Sequence, residues 1–560
     1  MNFEQVYSEA IPLADLLVRS AGRFPDRVAL VVAEESLTYT ELLARSAEVA
    51  RGLASLGVGR GDNVGVLAPN SQEFAEAVFG IALLGAVVVP LNVRHRSSEL
   101  GYVIDHAELK AIVTTDRMAS RTDLRQVLRD AIPGLDAAPG IGPLLIPSAP
   151  HLRHIVVLGG KSTPGFVGDE EFRRAAAAVR DAVVETLRHR VRVRDCAMIL
   201  YTSGTTAHPK GCMITHEAVT RAPVGRTNAA IPRPWRGDPE VVWCPAPFFH
   251  IAAFQGLIWC LAQGGTMLTD VHLDGERAFR SVRDWHATSL WPMFMAPQTA
   301  LMEAPGFHPE ELPHVRSIVT VGAPNEFTAL QEAFPQALLI NGSGMTEMTG
   351  HFCLTSPSDS LEIRATTSGR PVAGAEVRIV DSETNEDLPD GELGELLVRG
   401  YSMMSGYYRD PERTAEAIDH DGWLHTGDLF RRLASGHLRF EGRLKDMLKV
   451  GGENVPAIEV ESFLKRHPSV LNAEVVGRPD ARLDEVPVAF VELRPGTQVS
   501  EEELVQFCVG RLASFKIPRA VYFKAADEWP MSATKVNKVA LRREVLALVT
   551  DMSYTTTGRG

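Results

Sequence analysis

Apolar residues recur along this chain in two alternating rhythms. Within 38–57, Leu42, Leu43, Val49, Leu53 and Leu56 fall near helical spacing, between a Thr38 suited to cap a helix and a Gly57 suited to end one. Val64, Gly65, Val66, Leu67 and Ala68 then form a short apolar run expected to be a buried strand, 71–84 predicts a second helix and 86–90 a second strand. This β-α-β order predicts parallel strands under a cover of helices, and it recurs around 111–114 and 154–158. Residues 133–150, rich in Pro, Gly and Ala, are expected to form a surface excursion, and 550–560 a frayed polar tail. Beyond Gly442 the rhythm shifts. Helices at 460–465 and 501–512 and strands at 471–476, 486–493 and 520–523 predict a compact α+β unit able to fold alone. The expected fold class is α/β, with an N-terminal domain at 1–442 and a C-terminal domain at 443–560.

Composition narrows the partners. A chain of 560 residues exceeds one ordinary core, and 45% hydrophobic with 23% charged residues is the balance of a soluble globular protein. A net charge of -13 argues against nucleic acid or an anionic membrane as the main partner. The longest apolar run, 77–91, is too short to span a bilayer and contains Gly80, Gly85 and Pro90, so no integral membrane segment is expected, and the N-terminus has no secretory pattern. Six cysteines at 196, 212, 244, 260, 353 and 508 form no C-x-x-C pair, which fits reduced thiols in a cytoplasmic protein.

Candidate chemistry begins after the apolar run at 197–200, where 201–211 reads YTSGTTAHPKG. Ser203, Thr205 and Thr206 offer hydroxyls, Gly204 and Gly211 allow close backbone approach, and Lys210 adds a cation. The stretch suits phosphate binding or an ordinary solvated turn, and lacks the G-x-x-x-x-G-K-[ST] spacing. Four further stretches follow: NGSGMTE at 341–347, TGD at 426–428, EGRLKDMLKVGGENVPAIEVE at 441–461 and PMSATKVNK at 530–538. In this order the set resembles the adenylate-forming superfamily of acyl-CoA synthetases, peptide-synthetase adenylation domains and luciferases, from 37 to 541.

That resemblance implies mostly parallel sheets plus a small barrel in the large domain, and a mobile small C-terminal domain. It implies ATP, Mg2+ and coenzyme A: a carboxylate attacks the α-phosphate, pyrophosphate leaves, and a thiol then takes the acyl group. Thr202, Ser203, Gly204, Thr205, Thr206 and Lys210 would hold the β- and γ-phosphates, Thr346 would contact phosphate and Glu347 would hold the metal. Gly322, Ala323 and Pro324 would lie along the adenine, with Asn341, Gly342, Ser343 and Gly344 also on the nucleotide. Asp428 would take the ribose hydroxyls with help from Arg443. Lys535 would stabilise the transition state of adenylation, and Lys445 would be the hinge about which the small domain rotates. Lys449, Gly451 and Gly452 would then line the tunnel for the pantetheine arm.

The chain departs from the family pattern at Ala207, at Thr534 before Lys535, which leaves Lys538 as a rival, at Ser343 where an adenine-stacking ring is usual, and at Pro456. His250, beside Phe249, stands near the expected carboxylate as a gate or as a core histidine. Trp291, Met293, Phe294, Met295, Met345, Met348 and His351 would form an apolar acyl pocket or plain core. The expected substrate is a small-molecule monocarboxylic acid with a hydrophobic body, whether fatty, aromatic or polycyclic. A separate carrier protein as acceptor and a nucleotide-binding protein without turnover are the alternatives, and a homodimer is admissible.

Overall fold

The structure is a computed structural model describing residues 9–556 except 118–120, 139–141, 203–207, 294, 323, 451–452, 481 and 533–534. Ser203, Gly204, Thr205, Thr206, Ala207, Phe294, Ala323, Gly451, Gly452 and Thr534 therefore lie outside the described residues. Internal contacts divide the chain into two compact units, 1–376 with 398–424, and 377–397 with 425–560.

The first unit is built on the predicted β-α-β rhythm. Thr38 caps the helix Tyr39–Ser55 through a reciprocal box, its side chain accepting from Glu41 N while Glu41 Oε2 accepts from Thr38 N at 2.8 Å. Ser71 likewise caps Gln72–Leu83, a helix that is buried all round because it is packed within the core. Between these helices, Asn63–Leu67 pairs in parallel with Val87–Pro90. They belong to a seven-stranded sheet ordered Val167–Gly168, His154–Leu158, Ala111–Thr115, Asn63–Leu67, Val87–Pro90, Cys196–Thr202 and Lys210–Thr215. Every pairing in it is parallel except the last, where Cys196–Thr202 and Lys210–Thr215 form an antiparallel pair at the edge. A second seven-stranded sheet, Leu338–Ile340, Ser317–Val319, Ser289–Leu290, Val241–Trp243, Thr266–Thr269, Val28–Val32 and Glu35–Thr38, repeats the plan with one antiparallel pair at its edge. Phe74, Phe248, Phe254, Trp259 and Trp291 fill the main core of this unit.

The excursion at 133–150 lies at the surface as expected, most of its described residues being exposed, and it is anchored by a few buried side chains. Leu135, Leu144, Ile146 and Ala149 are buried against Leu128, Ile132 and Ile155, so these side chains cover part of one face of the first sheet, and Leu145 stands out in solvent. The tail is corrected: the helix Lys538–Thr556 runs through most of it.

In the second unit, Asp484–Leu493 is flanked by Met447–Val450 and Val470–Asp480 and pairs in parallel with Val521–Phe523, while the helices Ala457–Leu464 and Glu501–Cys508 contribute Val460, Leu464 and Leu504 to its core. A four-stranded sheet is ordered Ala375–Val380, Leu393–Gly400, Leu424–Arg432 and Leu438–Arg443. Among the described residues, no helix is long and apolar enough to cross a membrane. All six cysteines are free, and all but Cys196 are buried.

Candidate active site

The antiparallel edge pair carries the first candidate residues. Ala197–Leu200 is buried in the sheet, and the register sets Thr202 opposite Lys210 and Tyr201 opposite Gly211. Lys210 thus opens a strand instead of sitting in a loop. Gly211 is required by space: a Cβ there would meet Ile199 Cγ2 at 2.7 Å and the Tyr201 ring at 3.0 Å.

A distant stretch, 404–408, runs along this strand. Ser405 N donates to Met213 O at 2.9 Å, Met213 N to Gly406 O at 3.0 Å and Tyr408 N to Gly211 O at 2.7 Å. These bonds bring the Tyr407 ring to the Lys210 ammonium, with Nζ 4.8 Å from the ring centroid. Sequence reasoning missed Tyr407. Its only local signal is a Gly-Tyr-Tyr-Arg-Asp-Pro run at 406–411 that reads as a turn before a helix.

Glu347 sits in the turn Thr346–Met348, between the antiparallel strands Gly342–Met345 and Gly350–Leu354. The same 404–408 stretch grips it twice: Met404 N donates to Glu347 O at 2.7 Å, and Tyr407 Oη donates to Glu347 Oε1 at 3.0 Å. Burial and the adjacent Glu347 carboxylate push the Tyr407 phenol well above its ordinary range, so it remains a donor. From the other side, Arg226, 4% exposed, donates to Met348 O at 3.3 Å and Thr349 O at 3.2 Å and bonds Ser402 Oγ. Arg226 faces carbonyls instead of a carboxylate, and burial lowers it to about 10. Thr349, held at φ +52, donates to Ser402 O at 2.7 Å. Two elements far apart in sequence therefore clamp the turn.

The NGSG glycines close the strand pair. A Cβ on Gly342 would meet Cys353 O at 2.7 Å, and one on Gly344 would meet Gly350 C and O at 2.6 Å. Asn341 is buried and spends its amide on Arg364 O and its own Gly342 N, while Ser343 Oγ donates to Ser368 Oγ at 2.7 Å. Gly322 is half-buried and Pro324 opens the exposed start of Pro324–Ala333. His250 precedes the helix Ile251–Gln263, its ring 5.1 Å from that of Phe249. Trp291 stacks on Trp259 at 5.3 Å, and Trp291, Met293 and Met348 are buried. His351 bonds Gln255 Oε1 through Nδ1 at 3.1 Å, and burial, with Arg226 nearby, lowers its pKa to about 4.

In the second unit, Asp428 lies opposite Arg443 on adjacent strands, Oδ1 3.2 Å from Arg443 Nε. The turn before it is tied down: Gly427 N donates to Glu395 Oε1 at 2.9 Å, Thr426 Oγ1 to Leu396 O at 2.6 Å and Asp428 N to Thr426 Oγ1 at 3.1 Å. Lys445 occupies the short turn Leu444–Asp446, with its pKa lowered by burial and by Arg443, and Arg542 bonds both Lys445 O and Asp446. Lys449 is exposed on Met447–Val450. The backbone of Lys535 pairs with Ser532. Lys538 is enclosed by Glu461 and Glu474, the latter 3.4 Å away, and is engaged structurally.

Among the described residues, no three His, Cys, Asp or Glu side chains gather into a metal cage. No cation among them pairs with Glu347 either, and one carboxylate shared with substrate phosphates is the usual protein share of a Mg2+ site. The donor set fits that metal.

A family model described as AMP-binding enzyme matches residues 17–408, and one for the AMP-binding enzyme C-terminal domain matches 459–536. The chain belongs to the AMP-binding enzyme family. Within this adenylate-forming superfamily it stands in the acyl-CoA ligase branch. It is 34% identical over 544 residues to a 3-[(3aS,4S,7aS)-7a-methyl-1,5-dioxo-octahydro-1H-inden-4-yl]propanoyl:CoA ligase of Mycobacterium tuberculosis, spanning 95% of this chain and 98% of that one. It is 29% identical to the mitochondrial medium-chain acyl-CoA ligase ACSF2 of Mus musculus over 95% of this chain and 87% of that one. Among solved structures, the anthranilate CoA ligase AuaEII in complex with anthranoyl-AMP superposes with a TM-score of 0.82 at 25% identity, covering 97% of this chain and 98% of that one. The AMP-binding family uses ATP, and the ligases of this branch use CoA.

Proposed function

We propose that this protein is an AMP-forming carboxylic acid–CoA ligase that makes an acyl-adenylate from ATP with release of pyrophosphate, then an acyl-CoA with release of AMP. The observation that carries the reading is the joining of Lys210 and Glu347 on one scaffold: a phosphate cation and a hard oxygen ligand are held by the same Tyr407. Lys210 neutralises charge on the leaving pyrophosphate, and Thr346 donates to phosphate. Bound Mg2+, held by Glu347, supplies further neutralisation of the phosphates. Asp428 accepts from the ribose hydroxyls with Arg443 beside it, and Lys535 stabilises the charge that builds at the α-phosphate. Rotation of the small domain about Lys445, in place of a fixed arrangement, lets Lys449, Gly451 and Gly452 serve the thiol step.

The acid is a hydrophobic monocarboxylate. Buried Trp291, Met293 and Met348 support an apolar acyl side, and the name of the mycobacterial relative supports a polycyclic body. Free thiols support a reducing, cytoplasmic setting.

The test is acid-dependent exchange of pyrophosphate into ATP across a panel of fatty, aromatic and polycyclic acids, followed by AMP release with CoA present. Exchange should occur with a hydrophobic acid and fall by at least about 100-fold in Lys535→Ala. If no acid supports exchange, or if Lys535→Ala retains it, the assignment fails.

A further inference from the structure

We propose that Tyr407 is a positioning residue for adenylation: its hydroxyl orients the metal-binding carboxylate of Glu347 and its ring face seats the Lys210 ammonium, so that one neutral side chain sets both charges. The proposal rests on the ligase reading above.

The two contacts use different parts of the side chain. Oη donates to Glu347 Oε1 at 3.0 Å, and the ring centroid lies 4.8 Å from Lys210 Nζ. Both partners must keep their charge for a ligand. A carboxylate in place of Tyr407 would form an ion pair with Lys210 and take up the charge meant for phosphate. A lysine or arginine there would do the same to Glu347. A phenol avoids both: the ring quadrupole attracts the ammonium without neutralising it, and the hydroxyl engages one carboxylate oxygen while leaving the net charge in place.

The backbone holds Tyr407 rigidly enough for this role. Its neighbours on either side are bonded to the strand that begins at Lys210, through Gly406 O with Met213 N and Tyr408 N with Gly211 O. Tyr407 N itself donates to Thr414 Oγ1 at 2.9 Å. Gly406 makes the approach practicable, because its φ is +137° and a Cβ would stand 2.8 Å from Thr414 Cγ2. Met404 N on Glu347 O fixes the other end. A displacement of this short stretch would therefore move Lys210 and Glu347 together.

The experiment compares Tyr407→Phe, which keeps the ring and removes the hydroxyl, with Tyr407→Leu, which removes both. ATP binding to the full chain is measured by calorimetry, once with chelator and once with Mg2+, and thermal midpoints report folding. The phenylalanine variant should bind metal-free ATP as the wild type does and lose about tenfold of the tightening that Mg2+ brings, since a hydrogen bond to a charged group is lost. The leucine variant should in addition weaken metal-free ATP binding by about threefold, since Lys210 loses its ring. In pyrophosphate exchange, the Mg2+ concentration at half-maximal rate should rise about tenfold in Tyr407→Phe, with KM for the acid unchanged. A Tyr407→Phe protein with the full Mg2+ effect, or with equal losses with and without metal, overturns the proposal and leaves the ligase reading standing. A wild-type protein that binds no ATP overturns both. If the leucine variant does not fold, the phenylalanine variant decides alone.

Discussion

Lys535 and Lys538 share one short motif, and the surroundings of Lys538 give that lysine a structural role. Lys538 pairs with the buried carboxylate of Glu461 and the half-buried one of Glu474, and burial with the neighbouring Glu461 raises Glu474 to about 6. Removing this cation leaves both carboxylates without their partner, so Lys538→Ala should lose about 3 kcal/mol of unfolding free energy in urea while retaining pyrophosphate exchange where it is folded. Loss of exchange in a folded Lys538→Ala protein would reverse the assignment of the two lysines. The motif assigned the role to Lys535 and still left Lys538 as a rival, because the partner lies 77 residues away from Lys538 in sequence. Arg226 was equally hidden: its partners are main-chain carbonyls and a serine, which have no signature in a sequence pattern.

At the scale of elements, the strand pair around Glu347 depends on glycines as steric requirements. Gly344→Ala would set a Cβ against the backbone of Gly350, which has no rotamer with which to yield. A loss of about 1–3 kcal/mol is expected, read as a lower thermal midpoint, together with weaker Mg2+-dependent ATP binding as the turn carrying Thr346 and Glu347 shifts. The β-α-β elements were legible because period and caps agree, as at Thr38 and Ser71. The strand that begins at Lys210 was not legible, since the stretch before it reads as a turn. The burial of Leu135, Leu144 and Ile146 was not legible either, since their spacing follows the sheet face they cover and no local period. The pairing of 404–408 with 211–213 is the largest gap, and it decides where Tyr407 sits.

For the whole molecule, acid should weaken the fold through His216. This histidine is 1% exposed, and its Nδ1 accepts from Leu13 N at 3.1 Å, which requires the unprotonated nitrogen. Burial lowers it from 6.5 to about 4. Below the unfolded pKa the unfolded chain takes up a proton that the native state refuses, so stability is complete above 6.5 and is lost as pH falls toward 4. The wild type should lose about 3 kcal/mol over that window relative to His216→Gln, followed by urea unfolding at each pH. The comparison with a variant is needed because Glu240, pushed up to about 7 by burial, has the opposite slope: its contribution is lost as pH rises. Equal pH profiles for the two proteins would remove His216 as the cause.

The first unit is not continuous in the chain: it takes 1–376, leaves, and returns for 398–424. On a ribosome, the strand holding Lys210 emerges long before residues 404–408 that run beside it. Until then the edge of the first sheet stays open along Gly211–Met213, an unpaired ladder of the kind that recruits foreign strands. The nascent chain must also carry the visit to 377–397 before it can close that edge. The stretch that unites the two charges of the site is thus also one of the late seams of its domain to be sewn during synthesis.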